Sequence, residues 1–218
     1  MTPPQTNLLW CVTPMPQTAP NKNSFLSVMQ RIRVPAGFIL GPLMILSAKP
    51  TWSSIGVGGV TACIGLAIRA WASGHLRKNE RLAITGPYAY TRNPLYLGTL
   101  VMGSGIAICA GTLWFAVLFV SLYLIVYISV MIAEAGTMRE LFPESYEEYR
   151  RHVPLLFPRL TPWRGGAFVA FGESSPASQE GGFDLSRYLR HREYRAAIGL
   201  AVVVTLLVMK LVLLGLKK

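Results

Sequence analysis

"LYLGTLVMGSGIAICAGTLWFAVLFVSLYLIVYISVMIA", residues 95–133, runs for 39 positions without a charged side chain. A hydrocarbon layer about 30 Å thick is crossed by roughly 20 apolar residues in a helix. The run is therefore long enough to cross twice, and Gly111-Thr112 near its middle offers the reversal. It predicts a helical hairpin in a membrane. Working outward, Ser53–Ser73 is a further span, with Arg69 near one end where its guanidinium can snorkel. Ala196–Leu216 is another, flanked by "RHREYR" before and Lys217-Lys218 after. Val34–Trp52, interrupted by Pro35, Pro42, Lys49 and Pro50, reads as a short or tilted span, Pro35 suiting a first helical turn. The expected fold is all-α, a polytopic integral membrane protein with about five transmembrane helices.

Composition agrees. Of 218 residues 52% are hydrophobic and 14% charged, against about 25% charged in soluble domains; mean hydropathy is +0.41. A net charge of +11 could point to nucleic acid, but the positive residues cluster beside the spans, where membrane topology wants them. No nucleic-acid partner is expected. With the amino terminus inside, Lys22, Arg31, Arg33, Arg77, Lys78, Arg81 and Arg92 share one side with the arginines from Arg139 to Arg195. Lys49, Lys217 and Lys218 are left outside, with Lys210 near them. That asymmetry predicts a cytoplasmic amino terminus and an external carboxyl terminus in a cell (inner) membrane.

Residues 1–24, rich in Pro, Thr, Asn and Gln, read as a mobile tail and lack the pattern of a secretory signal. Residues 25–160 form the transmembrane core. Residues 161–195 comprise a Gly/Ser-rich linker and, in "FDLSRYLRHREYR", an interfacial amphipathic helix; residues 196–218 are the last span. Cys11, Cys63 and Cys109 form no CxxC pair. Cys63 and Cys109, inside apolar runs, read as buried small hydrophobes rather than metal or redox sites, and no disulfide framework is implied.

Three polar elements share the inner side. In "GPYAYTRNPLYLG", residues 86–98, Pro87 and Pro94 fix the backbone and Gly86 allows a sharp turn, giving a rigid elbow that feeds a helix near Pro94. The free N–H groups at that helix start suit an anion. Tyr88, Tyr90 and Tyr96 add phenols and cation-attracting faces, and Arg92 a positive fork. An interfacial aromatic belt with a positive-inside arginine accounts for the same residues. Glu134, the first charge after the 39-residue run, is either an ordinary helix-end acid, paired with Arg139 or Arg92, or a site carboxylate. In "SYEEYRRHVPLLFPRLTP", Arg150 and Arg151 suit lipid phosphates, while His152 is either solvated or part of a site.

Together these elements resemble the integral membrane methyltransferases, which include isoprenylcysteine carboxyl methyltransferases and phospholipid N-methyltransferases. The elbow is similar to their GPY-x-x-x-RHP-x-Y-x-G pattern. "EAGTMRELFPESYEEYRRHVPLLFP" is similar to their second signature, a Glu-Glu pair followed by F-G-x-x-Y-x-x-Y and V-P-x-x-x-P. The resemblance covers roughly residues 74–160. It implies an S-adenosylmethionine pocket at the cytoplasmic face, built from both segments. It also implies cofactor contacts from Tyr88, Arg92, Asn93, Pro94, Tyr96, Gly98, Glu134, Tyr146, Tyr149 and His152. Gly103, in a "GSG" similar to the phospholipid branch's cofactor-approaching glycines, serves either that role or helix packing. Asn93 replaces the family histidine and cannot titrate near neutrality. Ala135 replaces the second glutamate, and Pro143 stands where glycine is usual.

The implied reaction is an in-line displacement governed by positioning and dryness, with a lipophilic acceptor (carboxylate, hydroxyl or amine) drawn from membrane lipid. Glu134 and Arg139 are the expected catalytic residues, Glu134 pairing with the cofactor's ammonium or ribose and Arg92 or Arg139 orienting an anionic group. No metal is expected. The competing readings are an NADPH-dependent sterol-type reductase, which shares an R-H-P-x-Y-x-G elbow, and a non-enzymatic scaffold. Oligomeric state is not legible.

Overall fold

The computed structural model describes residues 37, 39–75, 82–164, 185–190 and 193–216. The expected amino-terminal tail and the linker at 165–182 lie outside these residues. Among the described residues the fold is all-helical. A short helix α1 runs through 39–47. It is followed by α2 (Trp52–His75), a 3₁₀ turn (Gly86–Ala89), α3 (Pro94–Cys109), α4 (Leu113–Leu141), α5 (Pro143–His152), α6 (Leu185–Arg190) and α7 (Tyr194–Gly215).

By length and composition α2, α4 and α7 can cross a membrane. Five spans were expected. Helix α3 is apolar but holds 16 residues, about 24 Å at 1.5 Å per residue. Its length is set by Pro94 at one end and the Gly111 reversal at the other. Large apolar side chains such as Val57, Val60 and Ile64 on α2, Ile125 and Ile132 on α4, and Val202 and Met209 on α7 are exposed, as lipid-facing positions require.

Local chemistry starts and stops these helices. Helix α2 opens with a reciprocal cap: Thr51 N–H donates to Ser54 Oγ at 2.9 Å and Ser54 N–H to Thr51 Oγ1 at 3.1 Å, satisfying two donors that would otherwise be orphaned. The expected reversal is present at Gly111, whose φ of 70° only glycine adopts readily. There Lys49 N–H donates to Ala110 O at 2.8 Å, tying the end of α3 to the α1–α2 connection. Helix α4 continues past Ala133 for two further turns, so Glu134 lies within it. The helix stops at Phe142 because Pro143 cannot supply the next intrahelical N–H. Its 29 residues span about 44 Å, more than a hydrocarbon layer, so the charged end projects beyond the apolar run.

Helices α2 and α3 pack through a seam of small residues. A Cβ on Gly58 would stand 2.5 Å from Gly105 O, one on Gly98 2.8 Å from Gly65 O, and one on Gly105 2.6 Å from Gly58 O. The backbones touch directly, as small residues permit between membrane helices. At the Gly111 end the core is Met44, Ala48, Ala107, Cys109, Phe115 and Leu207. At the opposite end it is Tyr146, Tyr149 and Val153, packed by Leu82, Ile84, Met138, Phe142 and Trp163.

Two polar fasteners hold α7. Lys210 Nζ donates to Ile45 O at 2.7 Å and Leu46 O at 2.8 Å, closing the carboxyl end of α1 as a basic side chain can. Near the other end, Glu193 meets Arg69 of α2 through Nη2 at 2.7 and 3.0 Å and Nε at 3.1 Å. Arg69 also reaches Thr99 Oγ1 on α3. The snorkelling expected of Arg69 is thereby corrected: a carboxylate at the same depth offers a fork-matched partner, which a headgroup region offers less directly.

Candidate active site

Gly86, with φ 59°, starts the elbow, and any Cβ there would meet the His75 ring, its Nε2 at 2.7 Å. Pro87 follows at the first turn position, and its carbonyl accepts from Tyr90 N–H at 3.1 Å and Thr91 N–H at 3.3 Å. Pro94 then begins α3. The rigid elbow read from the sequence is thus built as two prolines dictate.

Residues 146–163 close over it. Arg92 N–H donates to Pro154 O at 2.9 Å, Arg159 N–H to Tyr90 O at 3.0 Å and Trp163 N–H to Ala89 O at 2.9 Å. Thr91 Oγ1, on a residue 2% exposed, donates to Leu156 O at 2.9 Å. Tyr149 donates to Tyr88 O at 2.7 Å. Backbone donors buried away from water need such partners. The segment after α4 supplies them, which is why the two sequence elements work as one unit.

Of the expected site residues, Arg92 Nη1 donates to Tyr146 Oη at 3.2 Å and Tyr96 Oη to Glu134 Oε1 at 2.6 Å. The Tyr96 carbonyl accepts from Tyr123 Oη at 2.7 Å. These contacts draw α3, α4 and α5 to the elbow end of the bundle. Asn93 donates through Nδ2 to Leu155 O at 2.9 Å, so its amide braces the 153–163 strap. Pro94 is buried at the start of α3. The space beside Gly98 is filled by Arg69 and Gly65, and that beside Gly103 by the Phe119 ring; helix packing therefore accounts for both. Arg139 pairs with Glu147 at 3.8 Å on the exposed corner between α4 and α5. His152 lies at the end of α5, its ring stacked on Trp163 with centroids 5.5 Å apart and its Nδ1 3.3 Å from Glu148 Oε1.

Charge around the site is uneven. A hydrogen bond from Arg150 at 2.5 Å, with charge from Arg150, Arg139 and Arg151 behind it, holds the Glu147 carboxyl below the usual range. Burial, with smaller opposing effects from neighbouring charges, pushes the Tyr149 phenol well above its ordinary value. Arg92 Nε is buried without an acceptor among the described residues. Sequence reasoning missed Thr91, which only its buried partners reveal, and the aromatic ladder leading to Glu134. In that ladder Tyr123 stacks on Tyr127 at 4.1 Å and Tyr127 meets Tyr96 edge-on at 5.3 Å. The spacing Phe119-Tyr123-Tyr127 on one helix face was the available signal. Among the described residues no group of three or more His, Cys, Asp or Glu side chains stands together as a metal site.

Comparison with known proteins bears on this end of the molecule. The cobalt-zinc-cadmium resistance protein CzcN of Cupriavidus metallidurans is 32% identical over 143 residues, 61% of this chain and 64% of that protein. The nickel-cobalt-cadmium resistance protein NccN of Alcaligenes xylosoxydans xylosoxydans is 32% identical over 122 residues, 52% of this chain and 55% of that one. The chain thus spans less than two thirds of the length of either relative. No solved structure matches it. The family model for phospholipid methyltransferase matches residues 55–145, which hold the elbow, Glu134 and the start of α5. The resemblance read from those motifs is borne out: the match over residues 55–145 is consistent with an integral membrane methyltransferase-like family.

Proposed function

We propose that this protein transfers a methyl group from S-adenosylmethionine to a lipophilic acceptor that enters from the membrane. The observation that carries this reading is the closure of the 146–163 segment over the elbow, which joins Arg92 to Tyr146 and accompanies the Tyr96–Glu134 contact. The residues fit the cofactor in kind. Arg92 Nε is a buried donor lacking a protein acceptor among the described residues, suited to a carboxylate. Glu134, exposed beside Tyr96, suits an ammonium or a ribose hydroxyl. When bound, the cofactor supplies an electrophilic methyl group.

The chain's own part is positioning and exclusion of water. Arg92, fixed by the Pro154 carbonyl through its backbone, would hold an anionic end. Glu134, oriented by the Tyr96 hydroxyl, would hold a cationic or hydroxyl end. Arg139, at the mouth of the α4–α5 corner, would orient an anionic group arriving there. Asn93, committed to Leu155 O, takes no proton, so the acceptor must arrive deprotonated or lose its proton elsewhere. In this proposal the site faces the cytoplasm of a cell membrane. The metal resistance in both relatives' names would follow from a modified membrane lipophile.

Thermal unfolding of the solubilised protein tests the proposal. S-adenosylhomocysteine at a hundred times its dissociation constant should stabilise by about 2.7 kcal/mol, and NADPH should not. Stabilisation by NADPH alone would transfer the site to the reductase reading.

A further inference from the structure

Tyr88 is 6% exposed, and its hydroxyl has no hydrogen-bond partner among the described residues. Its carbonyl is taken by Tyr149, so the backbone is satisfied while the phenol end is not. Native structures pair buried hydroxyls almost always, and an unpaired one calls for an explanation. The surroundings indicate what it faces. Burial first, then the Glu193 and Glu134 carboxylates, push this phenol far above its ordinary range, so it stays protonated. Glu193 is itself held by Arg69 on the α2 side. It belongs to the turn that opens α7, outside the residues matched to the family. An anion is repelled from such a place, whereas a cationic nitrogen with protons to donate is attracted to it. Arg92, four residues on in the same elbow, offers the complementary donor.

We propose that the Tyr88 hydroxyl oxygen accepts a hydrogen bond from a ligand ammonium group, with Glu134 and the α7 residue Glu193 supplying the negative field. The group comes either from the amino-acid end of the methyl donor or from an amine headgroup of a membrane lipid. The first source rests on the transfer reading above; the second does not.

Tyr88→Phe tests this with a readout that a structural role would not give. Deleting an unpaired buried hydroxyl should leave the ligand-free unfolding temperature unchanged or higher, while ligand binding weakens. Tyr90→Phe, whose ring packs on Trp71 at 6.3 Å, is the control. Purified protein in nanodiscs is titrated with S-adenosylhomocysteine, and separately compared in phosphatidylglycerol discs with and without phosphatidylethanolamine. The expected result is a roughly tenfold weakening of one of the two responses in Tyr88→Phe, the size of one lost charge-assisted hydrogen bond. The response that weakens identifies the source. A wild-type protein blind to S-adenosylhomocysteine, but with a phosphatidylethanolamine response that Tyr88→Phe removes, sinks the transfer reading and keeps this one. The proposal is overturned if both responses survive the substitution, or if the wild type responds to neither probe.

Discussion

Replacing Arg69 with methionine strands the Glu193 carboxylate inside the bundle, and the cost can be worked from the contacts. The two side chains are 20% and 14% exposed, and the guanidinium makes three bonds to Glu193 besides its contact with Thr99. Removing one partner of a buried pair costs about 3–5 kcal/mol because the survivor is left uncompensated. Partial exposure puts this case at the lower end, about 3 kcal/mol. Glu193→Met should cost about 2 kcal/mol, since the longer Arg69 can turn toward water. Changing both together replaces the pair by apolar surface and should cost less than about 1 kcal/mol. The coupling in the cycle is then about 4 kcal/mol, well outside the few tenths expected of independent sites. Unfolding by SDS titration in mixed micelles, followed by tryptophan fluorescence, measures all four states. Additive single costs would refute the reasoning, for they would mean that Arg69 and Glu193 do not depend on one another.

Other expectations concern the site and the seam. Glu134→Ala should abolish the stabilisation by S-adenosylhomocysteine while leaving membrane insertion intact, checked by thermal shift and by extraction at high pH. Asn93→His should keep binding, because an imidazole N–H can also reach the Leu155 carbonyl; Asn93→Leu cannot and should lose about 1 kcal/mol of stability by chemical unfolding. Gly65→Val should destabilise by about 3 kcal/mol or more, since its Cβ would stand 2.6 Å from Gly98 O with no room to retreat. A Gly65→Val variant that unfolds like the wild type would show that the α2–α3 contact is looser than described.

Much of the fold was legible because it follows from single-residue physics. The uncharged run at 95–133 is long enough for a hairpin, and Gly111 near its middle takes the positive φ of the turn. The elbow was legible in its prolines. Of the candidate site, the participation of Arg92, Tyr96, Glu134 and Tyr146 in contacts that join the two motifs was legible, but their pairing is long-range and spacing does not reveal it. Arg69 was misread because a basic residue near a span end has a default explanation, and its partner lies 124 residues away. Gly98 and Gly103 carry the same motif letters whether a ligand or a helix approaches them. The opposing Gly65 and Phe119, which decide for packing, come from other helices.

The strap that closes the elbow also sets an order of assembly. Thr91 and Leu156, its acceptor, are 65 residues apart, so a nascent chain emerging amino end first displays the elbow well before its backbone partners exist. The α2–α3 pair, whose contacts are nearer in sequence, can form early, while the elbow end waits for α4 to thread the bilayer and for residue 163 to clear the exit tunnel. A stalled or shortened product would therefore insert, pass as a membrane hairpin, and leave the elbow without its backbone partners.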